Sequence, residues 1–197
     1  MNKSFNFVFL LAFPIIFGVL AVSKQFVPIF FGEGYEKVVI LMNVISPILL
    51  MIGISNVIGT QYLLPTNRQK EYTISVIAGA IINFFINLVL IGRYGAIGAS
   101  IGTVIAEVIV TVSRLYFIRK DFNIKKIIVK SKNYIISGII MYLVCSSLEF
   151  IINNSIILLL FKVILGMITY IIVLIILKDN FIKEIKDKLV KSNITIK

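Results

Sequence analysis

Four charged residues stand out inside otherwise apolar stretches of the sequence: Lys24, Glu107, Glu149 and Lys162. A charge flanked by hydrocarbon side chains is costly to desolvate unless it finds a partner, so each marks a place where a ligand, an ion or an opposite charge is expected. Lys24 has two readings: it faces a water-filled cavity and meets an anionic substrate, or its long stem carries the ammonium out to the surface. Glu107 has no such reach, and it reads as a proton or cation site or as the partner of a cation on another helix. Lys162 reads as a cavity cation, and Glu149 as interfacial. Neutral amides form a second set. Asn83 and Asn87 are spaced i, i+4 and share one helix face. Asn43, Asn56 and Gln61 lie in one apolar run. Such amides contact sugar hydroxyls or a cation, or they tie neighbouring helices together.

Covalent chemistry has little to work with. Histidine is absent, and the one cysteine, Cys145, lies in an apolar run. General-base catalysis by imidazole, a disulfide scaffold and a Cys-rich metal site are therefore excluded, and no catalytic residue, metal or cofactor is expected.

The elements that carry these residues follow from composition. Of 197 residues, 59 % are apolar and 15 % charged, against about 45–50 % and about 25 % in soluble domains. Mean hydropathy is +1.03. A soluble domain of this size has too little interior for so much hydrocarbon, and disorder needs the opposite composition. The expected fold class is an all-α integral membrane protein. Six runs are long enough to cross a bilayer, at about residues 5–31, 38–64, 72–91, 95–118, 134–152 and 155–177. They are too long, and too poor in polar alternation, for barrel strands. The first run exceeds the apolar core of a signal peptide and is interrupted by Pro14. Pro14, Pro28 and Pro47 each remove a backbone hydrogen bond within a run and predict a kink or break.

The formal charge of +11 would point to nucleic acid in a soluble protein, but here the cations sit in short blocks between apolar runs, and no nucleic-acid partner is expected. Arg68 and Lys70 follow the second run, six cations from Arg119 to Lys132 follow the fourth, and residues 178–197 form a basic tail. The alternate links are poor in cations. With both termini in the cytoplasm, all three blocks fall inside, as basic loops do. Phe181, Ile182, Ile185, Leu189 and Val190 share a helical face of the tail, which reads as an amphipathic helix on anionic phospholipid or as a solvated segment, and the basic loop is expected to meet anionic phospholipid as well. Gly95, Gly98, Ala99 and Gly102 make a small-residue face for close helix packing.

The stretch from Asn83 through Asn87, Gly95, Gly98, Ala99 and Gly102 to Glu107 resembles a motif of polysaccharide-biosynthesis flippases, in the MOP exporter superfamily that also holds multidrug/toxin extrusion (MATE) transporters and the lipid II flippase. Phe31-Gly32-Glu33-Gly34-Tyr35 and Gln61 fit the same pattern. The resemblance implies a two-lobed transporter of about fourteen helices that moves an undecaprenyl-diphosphate-linked oligosaccharide to the outer leaflet of the cytoplasmic membrane. It implies that these six helices correspond to the last six, as a C-terminal fragment needing an N-terminal half or a second copy. Three alternatives stay open: a MATE-like drug/cation antiporter half, a membrane enzyme such as a polymerase or acyltransferase, and a non-transporting assembly subunit. The enzyme reading is disfavoured by the short outer links and the lack of histidine.

Overall fold

The computed structural model describes residues 1–179 and 181–184. Helix α1 spans Asn2–Phe31, α2 Glu36–Ile45, α3 Ile48–Ile58, α4 Gln69–Tyr94, α5 Ala96–Ile118, α6 Ile124–Ser147 and α7 Ser155–Ile176. A π-helical turn, Gly59–Leu63, prolongs α3, and a 3-10 turn, Leu148–Phe150, ends α6. There is no strand among the described residues. Among the described residues, six helical stretches are long and apolar enough to cross a membrane, with α2, α3 and the π turn forming one of them. The chain is a multi-pass membrane protein.

α1 is the central helix. Phe5, Phe9 and Phe13 repeat every four residues, so their rings follow one another down one face, and that of Phe9 meets Tyr134 of α6. α1 packs on α6 and α7 on one side and on α2 and α3 on the other, while α4 and α5 form a hairpin against α2 and α3. Most large apolar side chains on the outer faces of α4 and α7 remain exposed, Leu88 at 64 % and Ile176 at 69 %, as suits helices whose surroundings are hydrocarbon.

The prolines behave differently from one another. Pro14 and Pro28 lie inside α1 without ending it. Pro47 does end a helix: α2 stops at Ile45 and α3 starts at Ile48. The α4–α5 hairpin turns on one residue, Gly95, at φ 55° and ψ −129°. That positive φ is open to glycine at little cost. Gly95 therefore makes the turn rather than extending the packing face, since no atom lies within 4 Å of where its Cβ would be. Gly98 and Gly102 do lie against α4: a Cβ on Gly98 would collide with the Leu90 carbonyl, and one on Gly102 with the Asn87 side chain. Ala99 is half-buried on the same helix.

α6 starts ten residues before the expected span, at Ile124, where the Asn123 side chain accepts from the Lys126 amide. Lysines forbid hydrocarbon but not helix, so the helix continues past the membrane-spanning part. Three contacts gather the basic links at one end. Arg68 reaches Asp121 at 2.6 Å, Tyr134 donates to Asp179 at 3.0 Å, and Lys3 pairs with Glu184. Asp179 also accepts from the amides of Phe181 and Ile182. Of the expected amphipathic tail, Ile182 packs against the core, while Ile185, Leu189 and Val190 lie outside the described residues.

Candidate functional site

α3, α4 and α5 line a cleft of about 370 Å³ whose mostly apolar wall carries several polar side chains. Asn56 comes from α3, Asn83 from α4, and Thr103, Glu107 and Arg114 from α5. Thr103, Glu107 and Arg114 are four and seven residues apart, so one face of α5 carries all three. Small residues make the room: Gly79, Ala80 and Ala106 line the same space.

Arg114 is only 3 % exposed. Its Nη1 donates to the Ser55 carbonyl and to Ser55 Oγ, both at 2.7 Å, and its Nε donates to Ser75 Oγ at 3.0 Å. The guanidinium lies over the Tyr72 ring, 4.4 Å from its centroid. The π turn begins at Gly59, where a Cβ would stand 2.6 Å from Nη1 and 2.9 Å from the ring, so a bare backbone is what lets the guanidinium enter. Every contact is to a neutral group, and Nη2 has no acceptor among the described residues. Glu107 is half-buried in the same cleft, with no hydrogen bond or ion pair among the described residues. The cleft thus holds a fixed positive charge with spare donors, an uncommitted carboxylate two helical turns away, and amide and hydroxyl groups in the same wall.

Asn87 Nδ2 donates to Asn83 Oδ1 at 2.7 Å, so the pair expected from its spacing does share a face. Asn83 reaches the cleft, while Asn87 Oδ1 is buried against Gly102 without a partner. Asn43 accepts from Ser23 at 2.9 Å and joins α2 to α1.

A second polar cluster joins α1, α6 and α7. Lys162 Nζ donates to the Ala21 carbonyl at 2.7 Å, to Gln25 Oε1 at 2.9 Å and to Glu149 Oε1 at 2.6 Å. Its side chain is wholly buried, whereas that of Glu149 is 38 % exposed. An ammonium has three protons, and all three are taken. Lys162 is therefore a pin between helices and has no donor left for a cargo, although its stem borders an apolar cavity with Cys145 and Gly166. Lys24 is exposed and lines a cleft of about 400 Å³ between α1 and α2 together with Glu33 and Glu36. Of the residues the sequence singles out, the structure thus brings Asn83 and Glu107 to one cleft and sets Lys24 and Lys162 elsewhere, and it adds Arg114, which the sequence reading misses.

At the basic end, Arg68 bonds Glu71 at 2.9 Å and the Phe117 carbonyl at 3.0 Å as well as Asp121. The bond to Glu71 raises the Arg68 pKa above its ordinary value against partial desolvation.

No family model matches the chain. Two curated relatives from Escherichia coli (strain K12) are similar in sequence. One, named as an O-antigen transporter, is 34 % identical over 110 residues, which is 56 % of this chain and 26 % of that protein. The other, lipopolysaccharide biosynthesis protein WzxC, is 26 % identical over 112 residues, 56 % of this chain and 22 % of that protein. Among solved structures, the lipid II flippase MurJ in an inward closed conformation matches with a TM-score of 0.74 over 87 % of this chain and 37 % of that one, at 21 % identity, which is a likeness of fold. The matched stretch spans about a quarter of the length of the curated relatives. In sequence over just over half its length this chain is similar to an O-antigen transporter and to lipopolysaccharide biosynthesis protein WzxC, and in fold over most of its length to the lipid II flippase MurJ.

Proposed function

We propose that this six-helix unit takes part in moving an undecaprenyl-diphosphate-linked oligosaccharide from the inner to the outer leaflet of the cytoplasmic membrane, as the C-terminal part of a flippase whose other helices come from an N-terminal half or a second copy. The observation that carries the reading is the polar cleft of α3, α4 and α5. A lipid-linked sugar presents anionic phosphates and many hydroxyls. Arg114 offers a buried cation whose Nη2 is uncommitted, Asn56 and Asn83 offer amides that both donate and accept, and Thr103, whose proton goes to the Ala99 carbonyl, offers an acceptor. Lys24, exposed in its own cleft, gives a second cation for the phosphates. Glu107 balances the cation or takes a coupling ion. Moving a head group between leaflets breaks no bond, so binding groups and a change of opening suffice and no catalytic residue is called for. Both termini face the cytoplasm in this reading, since the basic links gathered at one end belong there.

The test is restoration of surface polysaccharide in a flippase-null strain. The chain is expressed alone and with an N-terminal half, and membrane abundance is followed by blotting. Export is expected with the half present, and loss of that export in Glu107→Gln or Arg114→Gln at unchanged abundance. Full export by both variants would remove the cleft from the mechanism.

The unpaired carboxylate of Glu107 supports one other reading, a half of a drug/cation antiporter. Efflux of a cationic dye without polysaccharide export would favour it. Presence in the membrane with neither activity would favour an assembly subunit.

A further inference from the structure

The first three turns of α6 carry an exposed stripe that the proposed transport does not use. Lys125, Ile128, Val129 and Lys132 are spaced i, i+3, i+4, i+7 and so fall on one side of the helix. All four are exposed, Ile128 at 62 % and Val129 at 69 %. Ile127, Ser131 and Tyr134, on the other side, are buried against the bundle. Counted with its 3-10 end, this helix has 27 residues, Ile124–Phe150. That is about 40 Å against about 30 Å of hydrocarbon, so roughly two turns emerge from the core. The emerging turns lie at the end where Arg68 meets Asp121 and Lys3 meets Glu184.

Charge complementarity decides the occupant. Residues 119–132 hold six exposed cations, Arg119, Lys120, Lys125, Lys126, Lys130 and Lys132, and one acid, Asp121, which Arg68 already neutralises. Two lysines bracketing two bare aliphatic side chains match a molecule that is anionic at one end and hydrocarbon at the other, at the depth where such molecules lie. We infer that the Lys125–Ile128–Val129–Lys132 stripe of α6 is a binding site for an anionic phospholipid of the leaflet that borders the basic links, with phosphate between the lysines and acyl chain along Ile128 and Val129.

The probe is phosphatidylglycerol, compared with phosphatidylcholine of the same acyl chains, titrated onto the delipidated full chain in detergent and counted by native mass spectrometry. The wild-type chain is expected to retain phosphatidylglycerol preferentially. Lys125→Gln with Lys132→Gln should weaken that binding roughly thirtyfold, two lysines' share of the attraction. Lys37→Gln with Arg93→Gln, an equal loss of charge outside this segment, should leave it within about twofold. Ile128→Ser with Val129→Ser should weaken both lipids. Circular dichroism of each variant separates misfolding from lost binding, and a variant that misfolds is replaced by the matching single substitution. Equal weakening by the two charge pairs would reduce the effect to net charge and overturn the site. Equal retention of the two lipids by the wild-type chain would overturn it too, and would point to an acidic protein as the occupant.

Discussion

Lys162 and Arg114 are both withdrawn from the surface, at 1 % and 3 % exposure, and each ties together three helical segments. Their partners differ in charge. Lys162 has a carboxylate at 2.6 Å and its three donors are filled, so the α1/α6/α7 cluster is closed and neutral. Arg114 has only serine oxygens, a carbonyl and an aromatic face, so the α3/α4/α5 cluster keeps its positive charge beside a cleft. A buried cation in a membrane helix is thus not one kind of feature. Where a carboxylate completes it, it holds helices together. Where neutral groups hold it in place, a charge remains for something that arrives.

The comparison can be broken by substitution, and the largest effect is expected at the closed pair. Glu149→Ala leaves Lys162 buried with only neutral acceptors, and should lower unfolding stability by about 3 kcal/mol, the low end for breaking a buried pair because Glu149 is partly exposed. Adding Lys162→Met to Glu149→Leu should recover most of that loss, since a packed apolar pair replaces a buried ion pair at little cost. Thermal unfolding in detergent reads both. Arg114→Gln should cost about 2 kcal/mol in the same assay, because it deprives Ser55 and Ser75 of a charged donor but leaves no carboxylate stranded. Gly59→Ala should cost about 1 kcal/mol by crowding the guanidinium and the Tyr72 ring, a smaller loss because the long arginine side chain can yield. The smallest effect belongs to the half-buried ion pairs at the basic end. Arg68→Ala removes the links to Glu71 and Asp121 and should cost about 0.5 kcal/mol, shrinking further when sodium chloride is added.

These two clusters also show how much was legible in the sequence. The six membrane helices follow from run length and composition alone, and the shared face of Asn83 and Asn87 from their spacing. Glu107 was recognisable because nothing charged surrounds it in a run of small and branched residues. Arg114 was hidden by its position, close enough to Arg119 and Lys120 to read as the start of the basic link. The available signal was its spacing of seven from Glu107, which puts both on one face. Lys162 was legible as a charge in an apolar run, but its ties were not, because its partners are 13, 137 and 141 residues away and only the folded packing brings them together. Pro47 and Pro14 looked alike in the sequence, yet only the first ends a helix. The length of α6 was underestimated because a hydropathy reading marks where hydrocarbon ends and not where a helix does.

The difference between a filled and an unfilled cation is tested most directly by polysaccharide export in a flippase-null strain supplied with an N-terminal half. Arg114→Gln is set beside the apolar double replacement Lys162→Met/Glu149→Leu at matched membrane abundance. Export should collapse with Arg114→Gln and persist with the double replacement. Export that survives without the guanidinium but fails without the ammonium and carboxylate would contradict the assignment of the two clusters.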